Sequence, residues 1–151
     1  MLPIKSILWP SDASKSANRA LEVAIQLAEQ FGAKLYGLQV VTEVPTFAET
    51  GPPITGIDIP RYELELKQAA QKALEQTVAE KVPKNIPIET SIEIGKPADV
   101  ILNFAKERRI ELIVMSTHGR TGLSHLMIGS VSENVIRRSP IPTLIIPSVR
   151  E

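Results

Sequence analysis

A chain of 151 residues, 43% hydrophobic and 23% charged, suits one compact domain with an ordinary core and is too apolar for wholesale disorder. Seventeen basic and seventeen acidic side chains cancel, so there is no global electrostatic footprint for nucleic acid or for a membrane surface. With no cysteine, disulfide frameworks, thiolate nucleophiles and cysteine-based metal sites are excluded. Aromatic residues are only 4%, so the core falls to Ile, Leu, Val and Ala, a composition that suits buried parallel strands between helices. No apolar run reaches the roughly 18 residues of a membrane span. The opening ten residues also lack the pattern of a signal peptide. The resulting expectation is a cytoplasmic protein of one domain, 1–151, with no membrane and no nucleic-acid partner.

Ile4 to Trp9 reads as the first strand, ended by Pro10. Ser11, Asp12, Ala13 and Ser14 supply turn and helix-capping residues. Ala17, Ala20, Leu21, Ala24, Ile25 and Ala28 then fall at helical spacing, and Gly32 is placed to close that helix in the left-handed conformation. Lys34 to Val41 reads as the second strand. From about 42 to 60 the chain is rich in proline and glycine and has no periodicity, which predicts a long surface loop. Arg61 to Lys81 is an amphipathic helix with Leu66, Ala69, Ala70, Ala73, Leu74 and Val78 on one stripe.

Ile86 to Ile94 alternates, with Ile88, Ile92 and Ile94 on one face and Glu89, Ser91 and Glu93 on the other. A strand with one wet face predicts a sheet edge. Pro97 begins the next helix, whose buried stripe is Val100, Ile101, Phe104 and Ala105. Leu112 to Met115 is an unbroken apolar run, as a strand buried on both faces requires. Ser116 to Ile128 is a loop of Gly, Ser, Thr and His, Gly129 opens a last helix, and Thr143 to Ile146 is the last strand. Strands alternating with helices imply right-handed crossovers and a doubly wound, Rossmann-like α/β fold with a five-stranded parallel sheet.

In such a sheet, ligands bind beyond the carboxyl ends of the strands where the strand order reverses. The segments expected there are Pro10 to Ser14, Val40 to Thr42, and Ser116 to Ser132. Gly119 and Gly122 permit close approach of backbone amides to a ligand. Gly129 and Ser130 stand at a helix start, where unpaired N–H groups and the helix dipole favour phosphate. Ser130 and Ser132 add hydroxyls. Read alone, one glycine loop before one helix is also compatible with a plain helix start.

The spacing carries more. Ser116, two residues, Gly119, nine residues, then Gly129-Ser130 resembles the Gly-x2-Gly-x9-Gly-Ser/Thr motif of the universal stress protein family, with serine in place of the first glycine. The opening Ile-Leu-Trp-Pro-Ser-Asp-Ala-Ser and the closing Val-Ser-Glu-Asn-Val-Ile-Arg-Arg-Ser-Pro-Ile-Pro-Thr-Leu-Ile-Ile-Pro are similar to the same family, so the resemblance covers essentially the whole chain. It implies strand order 3-2-1-4-5 and ATP, or ADP or AMP, as ligand, with Mg²⁺ carried by the phosphates. Carried over by position, it implies Pro10 in the nucleotide site, Asp12 hydrogen-bonding the ribose or adenine side, and the Val40 backbone at adenine. Met115, Ser116, His118 and Gly119 would line the sugar and phosphate path, and Gly129, Ser130, Val131 and Ser132 would hold phosphate. It also implies a homodimer through Thr143 to Ile146.

Catalytic signatures are missing. There is no Gly-x4-Gly-Lys-Ser/Thr, no Gly-x-Gly-x-x-Gly after the first strand and no Gly-x-Ser-x-Gly. His118 and His125 fit neither common zinc spacing. The sequence therefore favours a nucleotide-dependent regulatory protein with an unidentified protein partner. A nucleotide-independent adaptor and a slow ATPase stand as the alternatives.

Overall fold

The computed structural model describes residues 2–43, 56, 58–117 and 128–148. Along them run β1 (Ser6–Ser11), α1 (Lys15–Phe31), β2 (Lys34–Val41), α2 (Ile59–Lys81), β3 (Ile88–Ile94), α3 (Pro97–Glu107), β4 (Leu112–Ser116), α4 (Ser130–Arg138) and β5 (Thr143–Ile146). The five strands form one sheet in the order β3-β2-β1-β4-β5, and each pairing is parallel. This is the expected doubly wound order, with β3 and β5 at the edges. The chain steps from β1 outward to β3, then returns past β1 to β4 and β5. That reversal opens a crevice between β1 and β4.

Two apolar clusters flank the sheet. One joins Ile7, Trp9, Leu35, Ile92 and Val114 to Ala20, Leu21 and Ala24 of α1 and to Ala70 and Leu74 of α2. The other joins Leu8, Leu38, Ile113 and Met115 to Ile101, Phe104 and Ala105 of α3 and Val135 of α4. Adjacent residues of β1 thus face opposite layers, as the two-residue period of a strand requires. Among the described residues the buried core is aliphatic apart from Trp9, Phe104 and Met115.

Local chemistry sets the helix ends. Ser14 caps α1, its hydroxyl accepting from the Ala17 N–H at 3.1 Å. Gly32 closes α1 at φ 68, and its N–H donates to the Ala28 carbonyl. Pro97 stands in the first turn of α3, where no N–H is needed.

Two prolines behave differently from the sequence expectation. Pro10 does not end β1; it lies within it, paired in register with Leu38 of β2. The β4 ladder is recorded only at Ile7 and Leu8, so Pro10 comes after β1 has parted from β4. A residue without a donor is tolerated where a strand has one partner. Pro60 is part of α2 rather than of the preceding loop. Asp58 caps that helix by accepting from the Arg61 N–H at 3.2 Å, and a proline in the first turn costs no hydrogen bond.

At the amino ends of the strands, Glu89 of β3 accepts from Lys34 at 3.0 Å and also pairs with Arg108. The Lys34 hydrogen bond, helped by the Arg108 charge, holds the Glu89 carboxyl below the usual carboxylate range. The same bond raises the Lys34 ammonium above the usual lysine value. This cluster joins β2, β3 and the end of α3, at the far end of the sheet from the crevice.

Candidate functional site

Beyond the carboxyl ends of β1, β2 and β4 lies a cavity of about 570 Å³, within the range of small-molecule sites. Its walls include Pro10, Asp12, Val40, Met115 and Ser116, and Gly129, Ser130, Val131 and Ser132. These nine are all of the sequence-predicted site residues within the described part of the chain. His118 and Gly119 lie outside the described residues.

Each wall has a local cause. After β1 the chain turns sharply through Ala13, which holds φ 65, a left-handed conformation unusual for a residue with a Cβ. Two side chains stabilise the turn. The Ala13 N–H donates to Ser11 Oγ at 3.1 Å, and the Ser14 N–H donates to Asp12 Oδ1 at 3.0 Å. Ser14, not Asp12, is the cap of α1, so Asp12 shapes the turn that leads into that cap.

The opposite wall is the start of α4. Gly129 is buried, and its N–H donates to the Thr117 carbonyl at 2.7 Å. Ser132 is 4% exposed, and its hydroxyl donates to the Ser116 carbonyl at 2.7 Å, with the Thr117 carbonyl at 3.3 Å. These bonds pin the first turn of α4 to the end of β4. They also commit the Ser132 hydroxyl proton, which the sequence reading assigned to a ligand. Thr117 ties in β5 as well: its N–H donates to the Ile146 carbonyl at 3.1 Å, and its Oγ1 accepts from the Ser148 N–H at 3.1 Å.

Among the described residues no side chain caps α4. The first N–H groups of a helix have no intrahelical partner, so this end presents donors and positive dipole to the cavity. Among the described lining residues there is no lysine or arginine, and Asp12 is the one carboxylate; what these residues offer an anion is backbone N–H groups and hydroxyls. Among the described residues no group of three or more His, Asp or Glu is arranged to hold a metal ion. Mg²⁺ would fit here only as a companion of phosphate oxygens, the manner in which it commonly enters nucleotide sites.

Sequence reasoning missed the third wall. Leu66, Ala69, Ala70 and Ala73 of α2 line the cavity. Of the six-residue stripe expected to pack on the sheet, only Ala70 and Leu74 are buried. The rest of the stripe near the cavity is spent on its wall. Gln39 of β2 also lines the cavity. Its signal was a polar residue interrupting the apolar run Leu38-Gln39-Val40-Val41.

Comparison with known proteins agrees with this architecture. A universal stress protein of Methanocaldococcus jannaschii, MJ0531, is 35% identical over 142 residues, covering 94% of this chain and 81% of that protein. The solved structure of MJ0577, a universal stress protein of the same organism, superposes with a TM-score of 0.80 at 26% identity, covering 98% of this chain and 99% of the other. A universal stress protein in complex with cAMP shares the fold at 23% identity, with a TM-score of 0.64 and coverage of 95% and 97%. The sequence pattern of the universal stress protein family matches residues 3–147, so the likeness read from the Ser116–Ser130 spacing and both flanks extends over the sheet and its crevice. The chain belongs to the universal stress protein family.

Proposed function

We propose that this chain binds ATP, or ADP or AMP, in the cavity beyond β1, β2 and β4, and that occupancy regulates a protein partner rather than serving turnover. The observation that carries the reading is the convergence of the Pro10–Asp12 turn, the Val40 backbone and the uncapped start of α4 on one cavity. In this arrangement Asp12 faces the ribose and adenine side, and Met115 and Ser116 line the path to the phosphates, continued by His118 and Gly119. Gly129, Ser130, Val131 and Ser132 hold phosphate, Ser132 through its backbone N–H because its hydroxyl is engaged. Mg²⁺ accompanies the phosphates. A related fold in complex with cAMP is in keeping with an adenine ligand.

Differential affinity for two arrangements of the segments around the cavity gives a switch by population shift. The test is calorimetric titration with Mg-ATP, followed by hydrogen exchange with and without nucleotide. Saturable binding with added protection in 116–128 is the expected result. No heat from folded protein at several millimolar nucleotide ends the nucleotide reading, and binding without altered exchange ends the switch.

A second reading, a dimeric interaction module, is favoured by the edge position of β5, where Leu144 is 38% exposed. An unpaired apolar edge invites pairing with a second copy. Sedimentation across a concentration series is expected to show a dimer; monomer at every concentration removes this reading.

A further inference from the structure

Thr117, the residue that follows β4, is bonded to three parts of the molecule at once. Its N–H donates to the Ile146 carbonyl at the end of β5 at 3.1 Å. Its carbonyl accepts from the Gly129 N–H at 2.7 Å, with the Ser132 hydroxyl at 3.3 Å. Its Oγ1 accepts from the Ser148 N–H at 3.1 Å and lies 3.4 Å from Ser148 Oγ. Ser148 Oγ in turn is 3.0 Å from Ser16 Oγ, in the first turn of α1. Thr117 lines the cavity, whereas Ser16 and Ser148 are not among its walls.

The hydroxyl at this position has a use other than shape. Valine has the same outline as threonine and suits a strand end at least as well. It would keep the N–H and carbonyl bonds of residue 117 but leave the Ser148 N–H without this acceptor. The carbonyl that the hydroxyl steadies is the one on which α4 begins. Glu133 is the first residue of α4 to bond back along the helix, to the Gly129 carbonyl at 2.9 Å, so the N–H groups of Ser130, Val131 and Ser132 have no acceptor within it. Their aim follows the position of Gly129, and Gly129 is tied to Thr117.

We propose that Thr117 is a positioning residue for phosphate, and that the Ser148–Ser16 pair acts on the cavity through it. This inference rests on the nucleotide reading above. An anion held by backbone N–H groups gains from donors already fixed in place, because less freedom is lost on binding. The chain leaving β5 and the start of α1 supply that fixity from outside the cavity. The coupling is reciprocal: phosphate that draws on the α4 amides also steadies Thr117 and the Ser148 N–H bonded to it.

The test is calorimetric titration of Mg-ATP into the full chain as wild type, Thr117→Val, Ser148→Ala and the double variant, beside hydrogen exchange at the Ser148 amide. Thr117→Val and Ser148→Ala are each expected to weaken Mg-ATP by about threefold to tenfold, the scale of one hydrogen bond. The double variant is expected to bind no more weakly than Thr117→Val alone, because Ser148 reaches the cavity through the Thr117 hydroxyl. Thr117→Ser, which keeps the hydroxyl, is expected to bind like wild type, and Mg-ATP is expected to slow exchange at the Ser148 amide of wild type. A merely structural role would lower the melting temperature and leave the affinity of folded Thr117→Val unmoved; that result overturns the positioning role and leaves the nucleotide reading standing. Loss in Thr117→Val with none in Ser148→Ala means that the hydroxyl meets the ligand itself, and losses that simply add mean two unrelated effects; either overturns the link. The exchange measurement decides even if the valine variant does not fold: a Ser148 amide that exchanges alike with and without nucleotide overturns the coupling. Wild type that binds no Mg-ATP overturns both this inference and the nucleotide reading.

Discussion

Replacing Trp9 by alanine is expected to cost about 3–5 kcal/mol of folding stability. Trp9 is 0% exposed and is the one tryptophan in the chain. Its ring lies beside Gly37, the register partner on β2; a Cβ at Gly37 would sit 3.3 Å from its Cε3. The absent side chain at Gly37 is what leaves room for the indole. The indole N–H donates to the Ala17 carbonyl at 2.8 Å, which ties β1 to the first turns of α1. Truncation therefore removes apolar burial, empties a volume between β1, β2 and α1, and cuts a link beside the Ser11–Ser14 turn. Small globular proteins hold only about 5–15 kcal/mol in total, so the variant would lose a large fraction of its margin. Chemical denaturation followed by circular dichroism checks this, since the variant has no tryptophan signal. Trp9→Phe keeps most of the burial and is expected to cost roughly 1–2 kcal/mol. A loss below about 1 kcal/mol for Trp9→Ala would mean that α1 and Gly37 collapse onto the space, against the close packing expected of interiors.

Gly129→Val is expected to weaken Mg-ATP by about a hundredfold, on the scale of unfavourable fit in a tight pocket, while leaving the fold in place. Gly129 holds φ −64 and ψ 157, a conformation open to any residue, so the backbone does not resist the change. It is the cap position of α4, where valine is a poor substitute for glycine, at a cost of about 1 kcal/mol. The residue is buried and lines the cavity, so the added side chain competes with a phosphate for the space before the first N–H groups of α4. Titration calorimetry beside a thermal melt separates the two effects. Affinity equal to wild type in a folded variant would move the phosphates away from α4.

Much of the architecture is local information. Apolar residues at helical spacing announced α1, and the left-handed φ of Gly32 ended it where a glycine was waiting. The unbroken Leu112–Met115 run became an interior strand, and the alternating Ile88–Ile94 run became an edge. Short-range sterics and two periodicities are enough for such assignments. Given alternating strands and helices, the handedness of crossovers narrows the sheet to a few orders, and resemblance to the family selected 3-2-1-4-5.

What the tertiary structure decided concerns groups that meet across the sheet. Pro10 continues β1 because β4 has already parted from it, which no reading of Trp9-Pro10 in isolation reveals. The Ser132 hydroxyl is directed to the Ser116 carbonyl, sixteen residues away, so a group that sequence offers to a ligand is used to anchor α4. Ala69 and Ala73 carry the periodicity of core residues, yet they line a cavity, because periodicity identifies a helix face and not what lies opposite it. The same holds for Gln39, polar in sequence and placed by strand alternation on the face toward α1 and α2, where it lines the cavity beside Ser11. By itself the sequence determined the elements, the family and most of the crevice; the register between strands and the distance of α2 from the sheet, both set by long-range packing, decided which side chains share one cavity.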